Sequence, residues 1–146
     1  MNVLFFDDEP FISNALTELL KLYGWNIKLV DDIYSLFMEL TENQYDILML
    51  DIMAPVPEMN NLYVNFSLNE LDAMDGGANT GIVLAEKIWG EVGDREIPIL
   101  FLSSRGDAEI RDKIAHFRQI GKTCSYLRKP ELAETIHTAL QELLKQ

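Results

Sequence analysis

Residues 45–51 read YDILMLD, and the prediction of the fold starts from this stretch. Four consecutive apolar residues, at positions 47–50, run directly into the carboxylate of Asp51. A short continuous apolar run is typical of a strand buried on both faces of a sheet, whereas a helix needs about ten residues. Asp51 is therefore predicted to stand where a central strand leaves the core. Open α/β sheets place their ligand sites at such strand ends.

Four further apolar runs, at residues 2–6, 25–30, 98–102 and 123–127, predict the other strands. Between the strands, apolar residues recur with the spacing of amphipathic helices. A strand–helix unit repeated five times predicts a single α/β domain. Its sheet is expected to be doubly wound, five-stranded and parallel, with right-handed crossovers and helices on both faces.

Local signals predict where the helices begin and which faces they bury. Pro10 is favourable in the first turn of a helix, and Asp32 and Asp107 can each cap a helix N-terminus. The predicted inward faces of the first and last helices carry two sets of apolar residues. These are Ile12, Ala15, Leu16, Leu19 and Leu20 in the first helix, and Leu132, Ile136, Leu140 and Leu143 in the last.

Composition narrows the class of protein. The chain has 146 residues, which is enough for one domain with a substantial core, and a net charge of −12. This charge argues against non-specific binding of nucleic acid. No apolar run reaches the roughly 20 residues of a membrane span, and no signal peptide is apparent. The single cysteine, Cys124, cannot form an internal disulfide, so we expect a cytoplasmic protein.

Polar side chains follow four of the five predicted strands. Asp7 and Asp8 follow the first strand, Asp51 the third, Ser103 the fourth and Lys129 the fifth. Because the carboxyl ends of parallel strands meet at one edge of the sheet, we expect these residues to converge. Three converging carboxylates repel one another and call for a cation, and oxygen ligands suit Mg²⁺.

A carboxylate, a magnesium ion and a lysine together suit phosphoryl transfer. An aspartate can act as a nucleophile and hold an aspartyl phosphate, while the metal and the lysine neutralise the phosphoryl oxygens. Taken in order, Asp7-Asp8-Glu9, Asp51, Ser103-Ser104 and Lys129-Pro130 resemble the receiver domain of two-component response regulators. The resemblance is to the stand-alone, chemotaxis-regulator type and spans residues 1–146 apart from an insert at 56–79. It implies a flavodoxin-like strand order, 2-1-3-4-5.

The resemblance implies a role for each residue of the set. Asp51 would accept a phosphoryl group from a histidine kinase or a phosphotransfer protein. Asp8, Asp51 and the backbone carbonyl of Met53 would bind Mg²⁺, with Asp7 acting through water. The phosphoryl-contacting residues would be Ser103, Ser104 and Lys129.

The resemblance also implies a switch. Ser103 would turn toward the phosphoryl group, and Tyr126 would change its burial with it. The face built from the fourth helix, fifth strand and fifth helix of the family would then change for a downstream protein target. Met53 and Arg105 would tune the rate at which water removes the phosphoryl group. The peptide bond that precedes Pro130 is expected to be cis.

We therefore expect a switch rather than an enzyme acting on another substrate, although it would take part in its own phosphorylation and autodephosphorylation. Neither direct nucleic-acid binding nor membrane contact is expected, since no helix-turn-helix or basic patch is visible. The protein would be a monomer or a dimer formed on phosphorylation.

The insert is where the chain departs from the family pattern. Ala54-Pro55 follows the acceptor, and the glycine that opens the next helix is best matched by Gly81, after Thr80. An alternative alignment uses residues 74–76 instead. Because the insert leaves beside Asp51, it covers the site, adds a partner-specific surface or is a solvated elaboration packed on the third helix.

Two patterns stand out within the insert. Alternation at Leu62, Val64, Phe66 and Leu68 predicts a half-buried strand. The segment that starts at Ser67 fits a capping box, which predicts a short following helix.

Three other classes of function fit the sequence less well. A receiver-like scaffold that is never phosphorylated would not require the full acidic set. A haloacid dehalogenase-type phosphatase should carry a second acid two residues after the nucleophile, where this chain has Met53. A nucleotide- or flavin-binding domain would need a glycine-rich loop after the first strand, and that position holds Asp7-Asp8-Glu9-Pro10.

Overall fold

A computed structural model of the chain describes residues 1–58, 64–91 and 96–146. Five strands and six helices are found in these ranges, together with a short 3₁₀ turn at Asp75–Gly77. The strands are β1 (Asn2–Phe6), β2 (Asn26–Val30), β3 (Ile47–Asp51), β4 (Ile99–Ser103) and β5 (Cys124–Arg128). The helices are α1 (Pro10–Leu22), α2 (Ile33–Glu42), α3 (Leu68–Ala73), α4 (Thr80–Glu91), α5 (Ala108–Gln119) and α6 (Ala133–Leu144).

The strands form one parallel sheet in the order β2-β1-β3-β4-β5, which confirms the predicted order. β3 lies at the centre, and all five of its residues are buried, as its apolar run predicted. In the register between β3 and β4, Asp51 is opposite Leu102, so the polar ends of these strands lie side by side. The fold thus places Asp51 at the carboxyl edge of the sheet, beside the ends of β1 and β4.

Helices cover both faces of the sheet, as expected. Apolar side chains of β1, β3 and β4 alternate between two separate cores. One core includes Leu4, Leu48 and Phe101, and the other includes Phe5 and Met49. The predicted caps are also present, since Asp32 accepts a hydrogen bond from Ser35 N at 2.7 Å and Asp107 accepts one from Ile110 N at 3.1 Å.

The predicted inward face of α1 is wrong in part. Ile12 is 72% exposed, and Ala15 and Leu19 are also exposed. Leu20 is buried as predicted, and the helix also turns Ser13 and Thr17 inward. Serine and threonine are small enough to pack against the sheet, and burying Ser13 brings its hydroxyl within hydrogen-bonding distance of Asp7, at 2.7 Å. The first turn of α6 shows a smaller error of the same kind, because Leu132 precedes the helix as its N-cap and is 71% exposed.

The segment between β3 and α4 contains a helix but no described strand. Residues 64–67 are irregular, and Leu68 begins α3 and is exposed, so the strand prediction is wrong for this part; Leu62 lies outside the described residues. Val64 and Phe66 are buried because they pack on the α2–α4 core, not because they alternate in a sheet. The capping box is confirmed, since Ser67 and Glu70 each accept a backbone hydrogen bond from the other.

The segment is tied to the body of the domain through α4. Lys87 of α4 forms an ion pair with Glu70 of α3 at 2.9 Å, and its ammonium lies 5.2 Å from the ring centroid of Phe66. Gly81, in the first turn of α4, donates a hydrogen bond to Ile52 O at 2.8 Å. A Cβ at Gly81 would lie 2.3 Å from Asp51 O, so this position requires glycine. In the part of the chain that the structure describes, no helix is long and apolar enough to cross a membrane.

Candidate functional site

Three aspartates converge at the carboxyl edge of the sheet, as the sequence predicted. Asp7 and Asp8 directly follow β1, and Asp51 is the last residue of β3. One carboxylate oxygen from each lies within 4.8 Å of the others. Asp7 and Asp51 are buried, whereas Asp8 is half-buried. The adjacent strand ends thus bring together the acidic cluster that the sequence analysis anticipated.

Lys129, which follows β5, reaches across the edge into the same cluster. Its Nζ lies 2.7 Å from Asp7 Oδ2 and 3.5 Å from Asp51 Oδ2. Burial alone would lower the pKa of Lys129, but the hydrogen bond to Asp7 and the nearby carboxylate charges outweigh burial and raise it. The ammonium therefore stays charged and supplies a fixed positive charge beside Asp51. The Lys129–Pro130 peptide bond is cis.

Asp7 is held by more groups than the sequence indicated. Its Oδ2 accepts hydrogen bonds from Lys129 Nζ and from Ser13 Oγ, both at 2.7 Å, and its Oδ1 accepts one from Glu9 N at 2.9 Å. These three donors fix the carboxylate in one orientation. Sequence reasoning missed Ser13 because it assigned the buried face of α1 to apolar residues alone.

The surroundings of Asp51 disfavour its ionised form. Burial of Asp51 is the largest cause that raises its pKa. The positive charge of Lys129 opposes this rise, whereas the charges of Asp7 and Asp8 and a hydrogen bond to Asp8 add to it. Together these effects raise the pKa of Asp51 from 3.8 to about 7. Near neutral pH Asp51 is therefore only partly ionised, and a bound cation would favour its ionised form.

The donor set fits a magnesium ion. Asp8 and Asp51 offer carboxylate oxygens of the hard kind that Mg²⁺ prefers, in a cluster whose own charges repel one another. Asp7 has both of its oxygens engaged by protein donors, which suits the water-mediated contact expected of it. Met53 N approaches Asp51 Oδ1 at 3.3 Å, and Met53 lines the same cleft.

Replacing Asp51 by asparagine should stabilise the protein in EDTA, and the gain should depend on pH. The folded-state pKa of about 7 lies above the ordinary unfolded value of about 3.9, so between these pH values the unfolded chain releases a proton that the folded protein keeps, and stability falls as the pH rises. We expect little difference near pH 4 and a gain of roughly 1–3 kcal/mol by about pH 8, measured by urea unfolding. Saturating Mg²⁺ should narrow the gap by stabilising the wild type. A gain that is the same at both pH values would contradict this electrostatic explanation.

The cluster opens into a cleft of about 670 Å³. One side of the cleft carries Asp8, Asp51 and Lys129. Part of the lining comes from residues 75–78, which we call the cleft wall. The wall is shaped by left-handed backbone at Asp75 (φ 51°) and at the two glycines that follow it. The insert was predicted either to cover the site or to lie outside it, and its sequence does not indicate that residues 75–78 reach the cleft.

Ser104 lines the cleft, whereas Ser103, Arg105 and Tyr126 are not among its lining residues. Ser103 is fully buried, and its Oγ accepts a hydrogen bond from Arg105 N at 3.1 Å. Tyr126 is half-buried, and its hydroxyl donates to Arg105 O. The guanidinium of Arg105 donates a hydrogen bond to Ala78 O in the cleft wall, and the rate-tuning role of Arg105 stays a prediction.

Comparisons of sequence give limited information. No model of a known protein family matches the chain. The chain is 27% identical over 146 residues to the probable transcriptional regulatory protein TcrX of Mycobacterium tuberculosis. The match covers all of this chain but 50% of that protein, so the chain spans about half the length of this curated relative.

Comparisons of structure are more extensive. A two-component response regulator from Clostridium difficile superposes with a TM-score of 0.71 and 20% identity, with 100% of this chain and 97% of that chain covered. The receiver domain of the sensor histidine kinase PA1611 of Pseudomonas aeruginosa, solved with magnesium in its active-site cleft, gives 0.69 and 19%, covering 99% and 98%. Together with the strand order and the acidic edge, these likenesses show that the chain has the fold of the CheY-like response-regulator receiver domains.

Proposed function

We propose that the protein is a phosphorylation-dependent signalling switch whose acceptor is Asp51. The observation that carries the proposal is the position of Lys129 Nζ, 3.5 Å from Asp51 Oδ2, beside a cluster of carboxylates that also contains Asp7 and Asp8. A nucleophilic carboxylate, a neighbouring fixed cation and a set of metal-binding oxygens are the groups that phosphoryl transfer to an aspartate requires. The donor would be a histidine kinase or a phosphotransfer protein.

In the proposed transfer, a carboxylate oxygen of Asp51 attacks the phosphorus of a phosphohistidine. The oxygen–phosphorus bond forms as the phosphorus–nitrogen bond breaks, and the electron pair of that bond returns to the imidazole. Lys129 holds its positive charge next to the incoming oxygens, and Asp7 keeps the lysine in place through the 2.7 Å contact. Magnesium bound by Asp8 and Asp51 would supply the remaining neutralising charge. Attack of water on the same phosphorus would later return the free carboxylate.

The switch would use Ser103 and Tyr126. Turning the Ser103 hydroxyl toward the phosphoryl group removes the acceptor that now binds Arg105 N, and Tyr126 is hydrogen-bonded to the same loop residue. The loop that joins β4 to α5 would then rearrange, and the face of α5, β5 and α6 would change for a downstream protein. We place this switch in the cytoplasm, and its buried free Cys124 is compatible with a reducing compartment.

The test is the intact mass after incubation with acetyl phosphate and Mg²⁺. We expect wild-type protein to gain one phosphoryl group with Mg²⁺ and none in EDTA, while Asp51→Asn gains none under either condition. Asp112→Asn is the matched control, because it removes an exposed carboxylate of α5 that does not line the cleft, and it should behave as wild type. No gain in a wild-type protein that binds Mg²⁺ would favour the alternative, a receiver-like scaffold for protein–protein contacts.

A further inference from the structure

Arg105 connects the proposed switch to the cleft wall. Its Nη1 donates to Ala78 O at 2.9 Å and to Asn79 Oδ1 at 2.8 Å, so it binds the end of the wall and the residue after it. The opposite edge of the guanidinium donates to Asp107 Oδ2, from Nη2 at 2.7 Å and from Nε at 3.1 Å. Asp107 also caps α5 through its other oxygen. The planar fork of arginine therefore joins the wall to the N-terminus of α5.

The main chain of the same residue contacts both predicted switch residues. Arg105 N donates to Ser103 Oγ at 3.1 Å, and Arg105 O accepts from the Tyr126 hydroxyl. One residue therefore contacts Ser103 and Tyr126 through its backbone and the wall through its side chain. The side chain is only 20% exposed, so these hydrogen bonds are partly shielded from water.

Other hydrogen bonds also hold the wall, and the residue that follows it, to neighbouring segments. Ala54 N donates to Gly77 O at 3.2 Å, and Asn79 Nδ2 donates to Glu109 Oε1 at 3.3 Å. Within the wall, Gly77 N and Ala78 N donate to Met74 O and Asp75 O, both at 3.1 Å. The arginine hydrogen bonds are shorter than these two bonds, whereas the buried bond from Thr80 Oγ1 to Ala54 O, at 2.6 Å, is shorter still and holds the start of α4 to the loop after Asp51. Arg105 therefore holds the end of the wall from the side of α5.

From this arrangement we infer that Arg105 is a positioning residue that holds the cleft wall beside Asp51 and loosens it when Ser103 engages a phosphoryl group. The two hydrogen-bonding positions of the Ser103 hydroxyl exclude each other. Ser103 Oγ cannot both turn toward Asp51 and keep its present bond to Arg105 N, and a partly buried amide that loses its acceptor favours rearrangement of the loop. Any shift of that loop displaces the guanidinium relative to Ala78 and Asn79. The loosening on phosphorylation rests on the proposed function, whereas the positioning of the wall by Arg105 does not.

The first experiment needs no phosphorylation. Hydrogen–deuterium exchange of the full chain, read by mass spectrometry, follows the hydrogen-bonded amides of Gly77, Ala78 and Asn79. In Arg105→Ala their exchange should rise about tenfold, the effect expected from losing roughly 1.4 kcal/mol of hydrogen bonding. Arg105→Lys, which has no planar fork, should give a smaller rise. Arg111→Ala removes an exposed charge on α5 and should leave these amides unchanged.

Amides of β1 and β3 serve as an internal reference, because a rise there as well would indicate global loosening. In that event Asn79→Ala, which removes one arginine acceptor without touching the loop after β4, provides the comparison, with a rise confined to the wall expected. Unchanged wall amides in Arg105→Ala, or an equal rise in Arg111→Ala, would overturn the positioning role.

The second experiment adds acetyl phosphate and Mg²⁺ and monitors the phosphorylated fraction by intact mass. Phosphorylated wild type should show a rise in wall exchange that approaches that of Arg105→Ala, and phosphorylation of Arg105→Ala should add little more. Phosphorylated wild type with a wall as protected as before would overturn the coupling. If no phosphoryl group is gained, the proposed function fails, while the comparison of unphosphorylated variants still decides whether Arg105 holds the wall.

Discussion

Replacing Lys129 by methionine should destabilise the protein and prevent phosphorylation. The lysine is the cation that the structure places within 4 Å of both Asp7 and Asp51, and methionine keeps much of its length without the charge. Removing it leaves two buried carboxylates repelling each other, which should cost about 2–3 kcal/mol of unfolding free energy in EDTA. Asp51→Asn is expected to change the unfolding free energy in the opposite direction. Intact mass should show little or no gain from acetyl phosphate, because the phosphoryl oxygens lose their fixed cation.

Urea unfolding in EDTA measures the stability part of this prediction. Lys145→Met is the control, because that lysine is the C-cap residue of α6 and lies outside the cleft, and its loss should change stability by less than about 0.5 kcal/mol. The double variant Asp51→Asn with Lys129→Met should recover part of the lost stability, since one of the two repelling charges is then absent. A Lys129→Met protein as stable as wild type would show that the ion pairs at this edge do not hold the cluster together.

Replacing Gly81 by alanine should destabilise the protein by about 3 kcal/mol, because the added methyl group cannot be accommodated. The Cβ would lie 2.3 Å from Asp51 O and 2.6 Å from Ile52 Cα, and both are backbone atoms that cannot move aside without shifting the acceptor strand. We therefore also expect slower phosphorylation of Asp51. Thermal or urea unfolding measures the first effect, and the time course of mass gain measures the second.

Gly90 provides the matched control in the same helix. A Cβ at Gly90 meets nothing within 4 Å, and alanine favours helix over glycine, so Gly90→Ala should be neutral or stabilising by up to about 1 kcal/mol. Equal effects of the two substitutions would mean that helix propensity, rather than contact with the Asp51 backbone, decides the outcome at Gly81. That result would also remove the argument that matches Gly81 to the helix-opening glycine of the family.

The sheet and its acidic edge could be predicted because each depended on local sequence. An uninterrupted apolar run defines β3, and Asp51 follows it immediately, so the position of the carboxylate at the sheet edge needs no information from elsewhere in the chain. Asp7, Asp8 and Lys129 follow their strands in the same way. Parallel order then brings the strand ends together, whatever the details of the connecting helices.

Helix faces were harder to predict where apolar residues lie on more than one side. In α1 the pattern of leucines and isoleucines allowed an inward face that includes Ile12, but the structure buries Ser13 and Thr17 instead. The hydroxyl of Ser13 meets Asp7, a contact that depends on the tertiary position of the helix and on no local periodicity. Hydrophobic spacing cannot show that a small polar side chain is satisfied by a carboxylate at the end of the preceding strand.

The cleft wall was beyond prediction for a similar reason. The capping box at Ser67 was readable, because it is a local exchange of hydrogen bonds. The path of residues 75–78 to the cleft depends on left-handed backbone and on the arginine that follows β4. Such a path combines a turn conformation with contacts between residues distant in sequence. In the part that the structure describes, the insert contains a helix followed by a turn that lines part of the candidate site.

In the proposed switch, Asp51 is the residue that carries the phosphoryl group. The most direct measurement is reduction of the phosphorylated protein with borohydride, which converts an aspartyl phosphate to homoserine, followed by peptide mass spectrometry. We predict homoserine at position 51 in protein treated with acetyl phosphate and Mg²⁺, with aspartate retained at positions 7 and 8 and at all positions in EDTA. Homoserine at a different aspartate, or none in a protein that had gained a phosphoryl group, would contradict the account.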